Sequence, residues 1–598
     1  MSPPPPRRSR SRLRPWIVPA RKLRAMVRAG ELGLIVIAAA IGVLAGLAVT
    51  GMSLAAQGMH ELIFRLPDGE RLSGTEFIPS HIALLAPIVG GALLGVLLFA
   101  SARWRKRVAV DPIEANALHG GRMSLTDSLL VALQNLISNG FGASVGLEAG
   151  YTQISSGIAS RVGLAFEMRR GDMRTLVGCG AAAAIATAFN APLTGAFYAF
   201  ELIIGTYSIA TLTPVVVAAL CGTFTARLIV GRAFLIDVGS LGAVVDADYA
   251  AAFGLGVVCA GFGILVMQGV TLVESLARRS VVPPALRPLI GGAAVGALAL
   301  VSPQVLSAGH GALHLNLDTA AAPAALLALI LLKSVASAIS IGSGFRGGLF
   351  FASLFLGALI GKLYAALAPF LFHTATLTPV VYAIVGMSAL AVAIIGGPLT
   401  MTFLALELTG DFPITVLVLV AVVASSVTVR KTFGYSFATW RFHLRGENIR
   451  SAHDVGWIRT LTVGQMMRRD PRIVRDDTTV AMLRRKFPLG SGQRVVVVDQ
   501  AERYAGIVLI PEAFDAALDQ AAEATRLDTL LHYRDQALTP EMNAKEAMAV
   551  FDRTESEALA VVDGSAAKRV IGLLTESHTL RRYSEELDRR RREVSGEI

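Results

Sequence analysis

Two stretches of the chain are nearly the same: APLTGAFYAFEL at 191–202 and GPLTMTFLALEL at 397–408. They agree at seven positions with a constant offset of 206 residues. The matched pairs are Pro192 and Pro398, Leu193 and Leu399, Thr194 and Thr400, Phe197 and Phe403, Ala199 and Ala405, Glu201 and Glu407, and Leu202 and Leu408. Proline is favoured at the first position of a helix, so two apolar helices could share it by chance. Seven matches in register, with a glutamate among them, instead predict two homologous halves.

The composition around these stretches is that of a membrane protein. Of the 598 residues, 53% are hydrophobic and only 17% are charged, which departs from ordinary soluble chains. The N-terminus, residues 1–31, resembles the basic region of a signal peptide, but the apolar run Leu32–Ala56 is too long for one. We therefore predict a disordered arm followed by a first membrane helix, and a second helix over Ile82–Ala100. The basic residues that flank these helices indicate an inner or plasma membrane protein with both termini in the cytoplasm.

The net charge of +11 says little about partners. The basic arm could contact anionic lipid or nucleic acid, but its position beside a membrane helix favours the topological interpretation. We expect membrane lipid as a partner and no nucleic acid.

Few residues suggest catalysis or metal binding. Cys179, Cys221 and Cys259 all lie inside apolar segments, without disulfide or metal spacing. His310 and His314 are four residues apart, but the segment SAGHGALHLN is rich in glycine and is predicted to be a loop. No Ser-His-Asp set, Walker loop or paired acid and base is visible, so the sequence predicts no enzyme, no metal site and no required cofactor.

Between residues 107 and 435 glycine and proline interrupt many apolar segments. Helices that stop within a bilayer are tolerated where the freed backbone is buried in protein or faces a cavity, and in two related halves they indicate a binding site between the repeats. Two glycine-rich turns lead into such helices, GASVGLEAGYTQ at 142–153 and GSGFRGGLFFAS at 342–353. Because helix N-termini carry unpaired N–H groups and partial positive charge, two that face each other would hold a small anion.

Glu148 lies in the first of these turns, within an apolar stretch. An ionisable side chain at membrane depth is a functional candidate. An ionised carboxylate would compete with an anion at the helix N-terminus, and a protonated one would leave the site. The alternative is that Glu148 simply caps its own helix.

The ordered motifs resemble those of the CLC chloride channels and transporters. The motifs are GLEAG at 146–150, AAAAIATAFNAPLTG at 181–195, GGLFFAS at 347–353, GGPLTMTFLALELTG at 396–410 and GYS at 434–436. The resemblance implies an all-α membrane fold with two inverted-topology repeats of tilted, broken helices, and a homodimer with a pore in each subunit. It also implies that Glu148 gates chloride or a similar small anion. The anion-binding residues that it implies are Gly146, Leu147, Leu349, Phe350 and Tyr435, the last through its hydroxyl.

Three departures from the family bear on mechanism. The family's first signature, which carries a serine that contacts the anion, should fall near RVAVDPIEAN at 107–116, and no serine stands there. Within GLEAG, Leu147 stands where many members carry a basic residue and Ala149 where they carry a proline, and Arg346, just before GGLF, could restore positive potential at a pore mouth. In proton-coupled members a second glutamate lies one residue beyond the position of Glu201, and here that residue is Leu202. Glu201 and Glu407 are therefore either structural carboxylates or an unusual proton route.

The region after residue 460 has a soluble composition and is also doubled. The segment RVVVVDQAERYAGIVLIPEAF at 494–514 resembles LAVVDGSAAKRVIGLLTESHTL at 559–580, and each predicts strand, turn, strand and helix. The pair resembles CBS modules, which often bind adenine nucleotides through a Thr or Ser and an Asp three residues later. The corresponding residues are Thr575 and His578 in the second module and Ile510 and Ala513 in the first, so the acidic residue is missing from both. Nucleotide binding stays open beside a dimerising or coupling role.

The predicted organisation has five parts. They are the basic arm 1–31, a transmembrane domain 32–446 with repeats at about 82–230 and 250–430, a linker 447–460, an α/β pair of CBS domains at 461–525 and 527–585, and a polar tail 586–598. The predicted function is a voltage- or pH-gated chloride channel. The first alternative is a proton-coupled Cl⁻/H⁺ antiporter with a non-standard proton route. A remote alternative is a CBS-regulated cation transporter, which the scarcity of carboxylates in the pore turns disfavours.

Overall fold

The computed structural model describes residues 31–75, 77–104, 109–231, 244–319, 321–371, 377–445, 461–564 and 568–595. The chain divides into two compact units, Met1–Asp454 and Val455–Ile598. The predicted basic arm up to residue 30 and the predicted linker lie outside the described residues.

The described part of the first unit is built from helices, most of them apolar. The helices are α1 (Glu31–Phe64), α2 (Ser80–Trp104), α3 (Pro112–Leu118), α4 (Leu125–Gly140), α5 (Glu148–Ala165), α6 (Arg170–Phe189), α7 (Pro192–Tyr198), α8 (Ile209–Val230), α9 (Asp246–Arg279), α10 (Arg287–Ala299), α11 (His310–Asp318), α12 (Pro323–Ser343), α13 (Phe350–Leu371), α14 (Pro379–Ile395), α15 (Pro398–Thr409), α16 (Phe412–Thr432) and α17 (Phe437–Leu444). A π-helical turn, Ala199–Ile204, continues α7.

Seven described segments are long and apolar enough to cross a membrane. Between them lie shorter apolar helices, and prolines at or next to the first residue begin α7, α10, α14 and α15. A proline at that position forfeits no hydrogen bond, because the first N–H groups of a helix are unpaired anyway. The predicted mixture of spanning and broken helices is confirmed, and the protein is a multi-pass membrane protein.

One local prediction was wrong. The segment around His310 is not a loop, since α11 begins at His310 directly after Gly309, whose φ of 106° is left-handed. The His310 ring stacks on Phe351 of α13, with ring centroids 3.5 Å apart. The helix therefore uses its histidine for packing against α13.

Helices α13 and α14 form the most buried pair in the second half. Residues Val381 to Ile394 of α14 are buried on every side. A Cβ atom on Gly357 or Gly386 would overlap backbone atoms of the opposite helix, so the two backbones approach as closely as glycine allows. This close packing holds α13, and with it the turn that precedes Phe350.

The second unit contains two small sheets. The strands are β1 (Ile473–Arg475), β2 (Arg494–Val498), β3 (Tyr504–Leu509), β4 (Ala558–Val562) and β5 (Val570–Thr575). β1 pairs with β2 in parallel, β2 with β3 antiparallel, and β4 with β5 antiparallel. Helices flank the strands: α18 (Val463–Met466), α19 (Val480–Lys486), α20 (Ile510–Ala513), α21 (Ala544–Thr554) and α22 (Glu576–Ser595).

The two antiparallel pairs repeat each other in detail. Val497 lies opposite Gly506, Val561 lies opposite Gly572, and the register shifts directly after Val497 and after Val561. Each pair is followed by a helix, as the sequence predicts. The last helix continues to Ser595, so the first part of the predicted polar tail extends α22.

Candidate anion site

The two glycine-rich turns meet each other. The Gly146 N–H donates to the Gly348 carbonyl at 2.9 Å, and the Gly348 N–H donates back to the Gly146 carbonyl at 3.3 Å. This short antiparallel bridge joins the turn before α5 to the turn before α13. The N-termini of two helices from opposite halves are thereby brought to one place.

Asn135 of α4 clamps both turns. Its Nδ2 donates to the carbonyls of Gly146 and Arg346, each at 2.9 Å, and its Oδ1 accepts from the Gly150 N–H at 2.8 Å. A buried amide with three bonds of this length cannot rotate without losing all of them. Asn135 therefore sets the separation of the two turns.

Other polar side chains of α4 and its neighbours extend this clamp. The Ser138 hydroxyl accepts from the Arg346 N–H at 3.0 Å, and the Asn139 Nδ2 donates to the Val145 carbonyl at 2.8 Å. The Ser144 N–H donates to Ser340 of α12 at 3.0 Å. The sequence reasoning missed this set, although a signal was present: Gln134, Asn135, Ser138 and Asn139 lie on one side of an otherwise apolar helix.

Glu148 is the first residue of α5 and is buried, with 4% of its surface exposed. Its carboxylate folds back over Gly146, where a Cβ atom would overlap it. Oε2 accepts no hydrogen bond from the described residues. Leaving a buried charged oxygen unpaired is costly, so this carboxylate has a physical reason to protonate or to move.

A cavity of about 480 Å³ opens beside Glu148. Two of the predicted anion-binding residues, Leu349 and Phe350 at the start of α13, line the cavity. Glu148 and Arg346 line it as well. Both helix N-termini therefore border one space that is large enough for a hydrated anion. The partial positive charge of each terminus acts on that space.

Two of the predicted anion ligands, Gly146 and Leu147, are not among the described residues that line the cavity. The Gly146 N–H is already used by the Gly348 carbonyl, so it is not available to an anion. The Leu147 side chain packs in a separate apolar cluster with Met52 and Tyr151.

Tyr435 lies next to aromatic residues of α17, and its predicted role as an anion ligand stays a prediction. Its hydroxyl lies 3.4 Å from His443 Nδ1, and its ring stacks on His443 with centroids 4.7 Å apart. Tyr435 is not among the residues that line the cavity. Gly434 adopts a left-handed φ of 84°, and the Tyr435 ring also contacts Trp440 of α17, with ring centroids 5.4 Å apart.

Arginines surround the far part of the cavity. Among the described residues, five arginines line it: Arg278, Arg287, Arg346, Arg441 and Arg445. The carboxylates Asp111 and Glu274 line it as well. The Arg346 guanidinium lies within electrostatic range of Arg441, Arg445 and Glu274. The arginines outnumber the carboxylates in this lining, and an excess of one sign of charge in a cleft raises the local concentration of the opposite ion. Residues 107–116, where the resemblance predicts the signature with the anion-binding serine, contribute Ala109 and Asp111 to this lining.

Glu201 and Glu407 cap each other's half. Glu407 accepts from the N–H groups of Leu193 and Thr194, each at 2.8 Å, and from the Thr194 hydroxyl at 2.7 Å. Glu201 accepts in the same way from Leu399 at 3.0 Å, and from the Thr400 N–H at 2.9 Å and its hydroxyl at 2.7 Å.

The reciprocal caps explain why the dozen residues occur twice. Phe197 and Phe403, another matched pair, stack on each other with centroids 4.3 Å apart. Each copy of the motif supplies the helix start that the other copy caps. Neither glutamate is among the residues that line the cavity, whereas Leu202 is.

In the second unit the Thr575 hydroxyl accepts from the His578 N–H at 3.3 Å, at the start of α22. Burial, then the charges of Arg581 and Arg582, lower the pKa of His578 below its usual value. At neutral pH this imidazole is uncharged. It therefore carries no positive charge for a phosphate, and nucleotide binding by the second unit stays a prediction.

Comparison with known proteins identifies relatives of the first unit. A family model described as voltage gated chloride channel matches residues 90–430. The chain is 29% identical over 406 residues to the voltage-gated ClC-type chloride channel ClcB of Citrobacter koseri, an alignment that covers 66% of this chain and 95% of that relative.

Two solved structures share the fold. A slow cyanobacterial Cl⁻/H⁺ antiporter superposes with a TM-score of 0.61 at 22% identity, covering 69% of this chain and 97% of its own. A eukaryotic CLC transporter superposes with a TM-score of 0.60 at 19% identity, covering 93% of this chain and 98% of its own. At these identities the likeness concerns the fold alone.

Proposed function

Because the chain belongs to the CLC family of voltage-gated chloride channels, we propose that it carries chloride or a similar small anion through the cavity beside Glu148. The observation that carries this proposal is the bridge between Gly146 and Gly348, which brings two helix N-termini to one space. The termini attract an anion without a fixed cation at the site itself, so that binding stays weak enough for release. The arginines around the cavity disfavour a cation as the transported ion.

Glu148 is the gate in this proposal. Its ionised carboxylate occupies the positive end of α5 and competes with the anion, while its unpaired Oε2 makes that position costly. Protonation removes the attraction to the helix end and frees the site. Transport should therefore rise as the pH falls, or as voltage moves the charge.

We propose a channel as the first mode of transport. The support is Leu202, which lines the cavity where a proton-carrying glutamate would stand and cannot bind a proton. A Cl⁻/H⁺ antiporter is the second candidate, because a solved structure of this fold is described as one. It would need a proton route that does not use residue 202.

Flux measurements in liposomes distinguish the two modes. Purified protein is reconstituted with an imposed chloride gradient, and chloride efflux and internal pH are followed together. Chloride flux without proton movement supports the channel, whereas uphill proton movement that is lost in Glu148→Gln establishes exchange. Glu148→Gln should also remove the pH dependence of chloride flux, while Glu114→Gln, at a glutamate that is not among the cavity-lining residues, should leave it unchanged. A wild-type protein that moves no chloride would refute the proposal.

We further propose that the protein is a homodimer with both termini in the cytoplasm, and that the second unit is a CBS pair. The repeated strand pairs with matching register shifts support the last point. Chemical cross-linking of the reconstituted protein tests the dimer, and protease access from each side of a sealed vesicle tests the topology.

A further inference from the structure

One buried amide joins the two turns that form the anion site. Asn135 of α4 is 1% exposed and lines the cavity. Its hydrogen bonds reach Gly146 and Gly150 around the gate, and also Arg346, which is 211 residues away along the chain. None of the motifs on which the family resemblance rests includes Asn135. Its role therefore has to be inferred from these contacts.

The three bonds allow the amide one orientation. Nδ2 donates to two carbonyls, those of Gly146 and Arg346, and Oδ1 accepts from the Gly150 N–H. A turn of the amide by half a circle would place its oxygen against both carbonyl oxygens and its NH₂ group against an N–H. A Cβ atom on Gly150 would lie 2.5 Å from Oδ1, so glycine is what lets the helix start approach the amide. The distance between the two turns is thus limited to what one NH₂ group bridges.

A fixed distance between the turns matters for selectivity. Two helix N-termini attract any small anion, because their field acts on charge and not on size. Turns that could part would admit a larger anion at little cost, whereas turns held at one separation disfavour it. Residues 107–116 contain no serine that could add a contact of its own. Discrimination by size is therefore left to the separation of the turns.

From this geometry we propose that Asn135 is the positioning residue that makes the anion site selective for small anions. It acts through the backbone of the two turns and not by contact with the anion, because both Nδ2 hydrogens are already donated to carbonyls. The inference rests on the proposed function and names the residue that lets the same site favour chloride over a larger anion such as nitrate.

The test compares Asn135→Leu with Asn316→Leu. Asn316 is a matched control, since it is 8% exposed, its Nδ2 also donates two bonds, each of 2.8 Å, and it is not among the cavity-lining residues. Chloride and nitrate affinities are measured by calorimetry on the purified full chain, and both fluxes are measured in liposomes.

Asn135→Leu should weaken chloride binding by about threefold to thirtyfold, the contribution of one partly buried helix terminus. Nitrate should lose less, because parted turns leave it more room, so the ratio of chloride to nitrate affinity should fall. Asn316→Leu should leave both affinities within about twofold, as expected for a distant site. A side chain that only stabilised the fold would change the amount of folded protein and not this ratio.

An unchanged ratio in Asn135→Leu, or a wild type that binds nitrate as tightly as chloride, overturns the inference and leaves the proposed function standing. Absence of chloride transport in the wild type refutes the proposed function itself. Should Asn135→Leu fail to fold, Ser138→Ala decides the matter, because it removes a single bond to the Arg346 N–H of the same turn. A ratio lowered by about twofold or more supports the inference, and an unchanged ratio overturns it.

Discussion

Replacing Glu407 with glutamine tests whether the reciprocal caps hold the two halves together. The Glu407 carboxylate accepts three hydrogen bonds at the start of α7: one oxygen from the Leu193 N–H and the other from the N–H and the hydroxyl of Thr194. Glutamine keeps one acceptor oxygen and places an NH₂ group where the second oxygen was. The charge at the helix N-terminus is lost as well.

The expected magnitude follows from these bonds. A hydrogen bond to a charged group contributes about 1.5–3 kcal/mol, and a charge at a helix N-terminus adds about 0.3–1 kcal/mol. The glutamine oxygen can accept from either the Leu193 N–H or the Thr194 groups, depending on how the amide is turned, and the bonds on the other side are lost. We therefore expect the free energy of unfolding to fall by about 2–4 kcal/mol. Glu201→Gln should lower the free energy of unfolding by a comparable amount, because Glu201 caps α15 through the equivalent N–H groups of Leu399 and Thr400 and the Thr400 hydroxyl.

Unfolding in detergent, followed by tryptophan fluorescence, measures both variants, and Glu114→Gln serves as the control. Glu114 makes one long contact with His119, at 3.6 Å, and its loss should cost at most about 1 kcal/mol. The two capping variants should be destabilised alike, with chloride flux per folded molecule retained. If Glu201→Gln instead kept full stability and abolished proton movement while Glu407→Gln did not, Glu201 would be a proton carrier and the capping argument would be wrong.

Three further predictions concern the gate, the arginines and the second unit. Gly146→Ala should raise chloride flux at neutral pH several-fold, because the added methyl group would overlap the Glu148 carboxylate. The control Gly261→Ala, whose methyl group meets open space, should leave the flux unchanged. Equal fluxes in the two variants would contradict a Glu148 carboxylate that folds back over Gly146. Arg346→Gln should lower flux mainly at low ionic strength, where unscreened charge steers anions, and a loss that is independent of salt would refute steering. ATP should bind the second unit weakly in calorimetry, and Thr575→Val should abolish that binding; tight binding that survives the substitution would exclude Thr575 as a phosphate contact.

Much of this architecture could be predicted from the chain alone. Composition and the lengths of apolar runs indicate a membrane protein, because a bilayer demands apolar helices of a set length. The repeat at an offset of 206 residues predicts two halves, and the glycine-rich turns predict helix N-termini close to an anion. These features are local patterns, so they can be read without knowing what lies nearby.

The partners of each side chain depended on the fold. The sequence shows Glu201 and Glu407 as matched residues, but only the packing of α7 against α15 makes each the cap of the other half. The clamp by Asn135 and Ser138 joins residues more than 200 positions apart, which no local pattern reveals.

Tyr435 and Tyr198 show the same division. The motif GYS predicts a tyrosine near the site, and the fold shows its neighbours: Tyr435 follows the left-handed Gly434 and stacks on His443 of α17. Tyr198 looks like one more aromatic residue of an apolar helix until α7 is packed beside α5 and α13. The sequence determined that helix ends and a carboxylate would meet an anion within a membrane. The tertiary structure decided which side chains border the cavity, because side-chain direction follows from packing between elements that are distant in the chain.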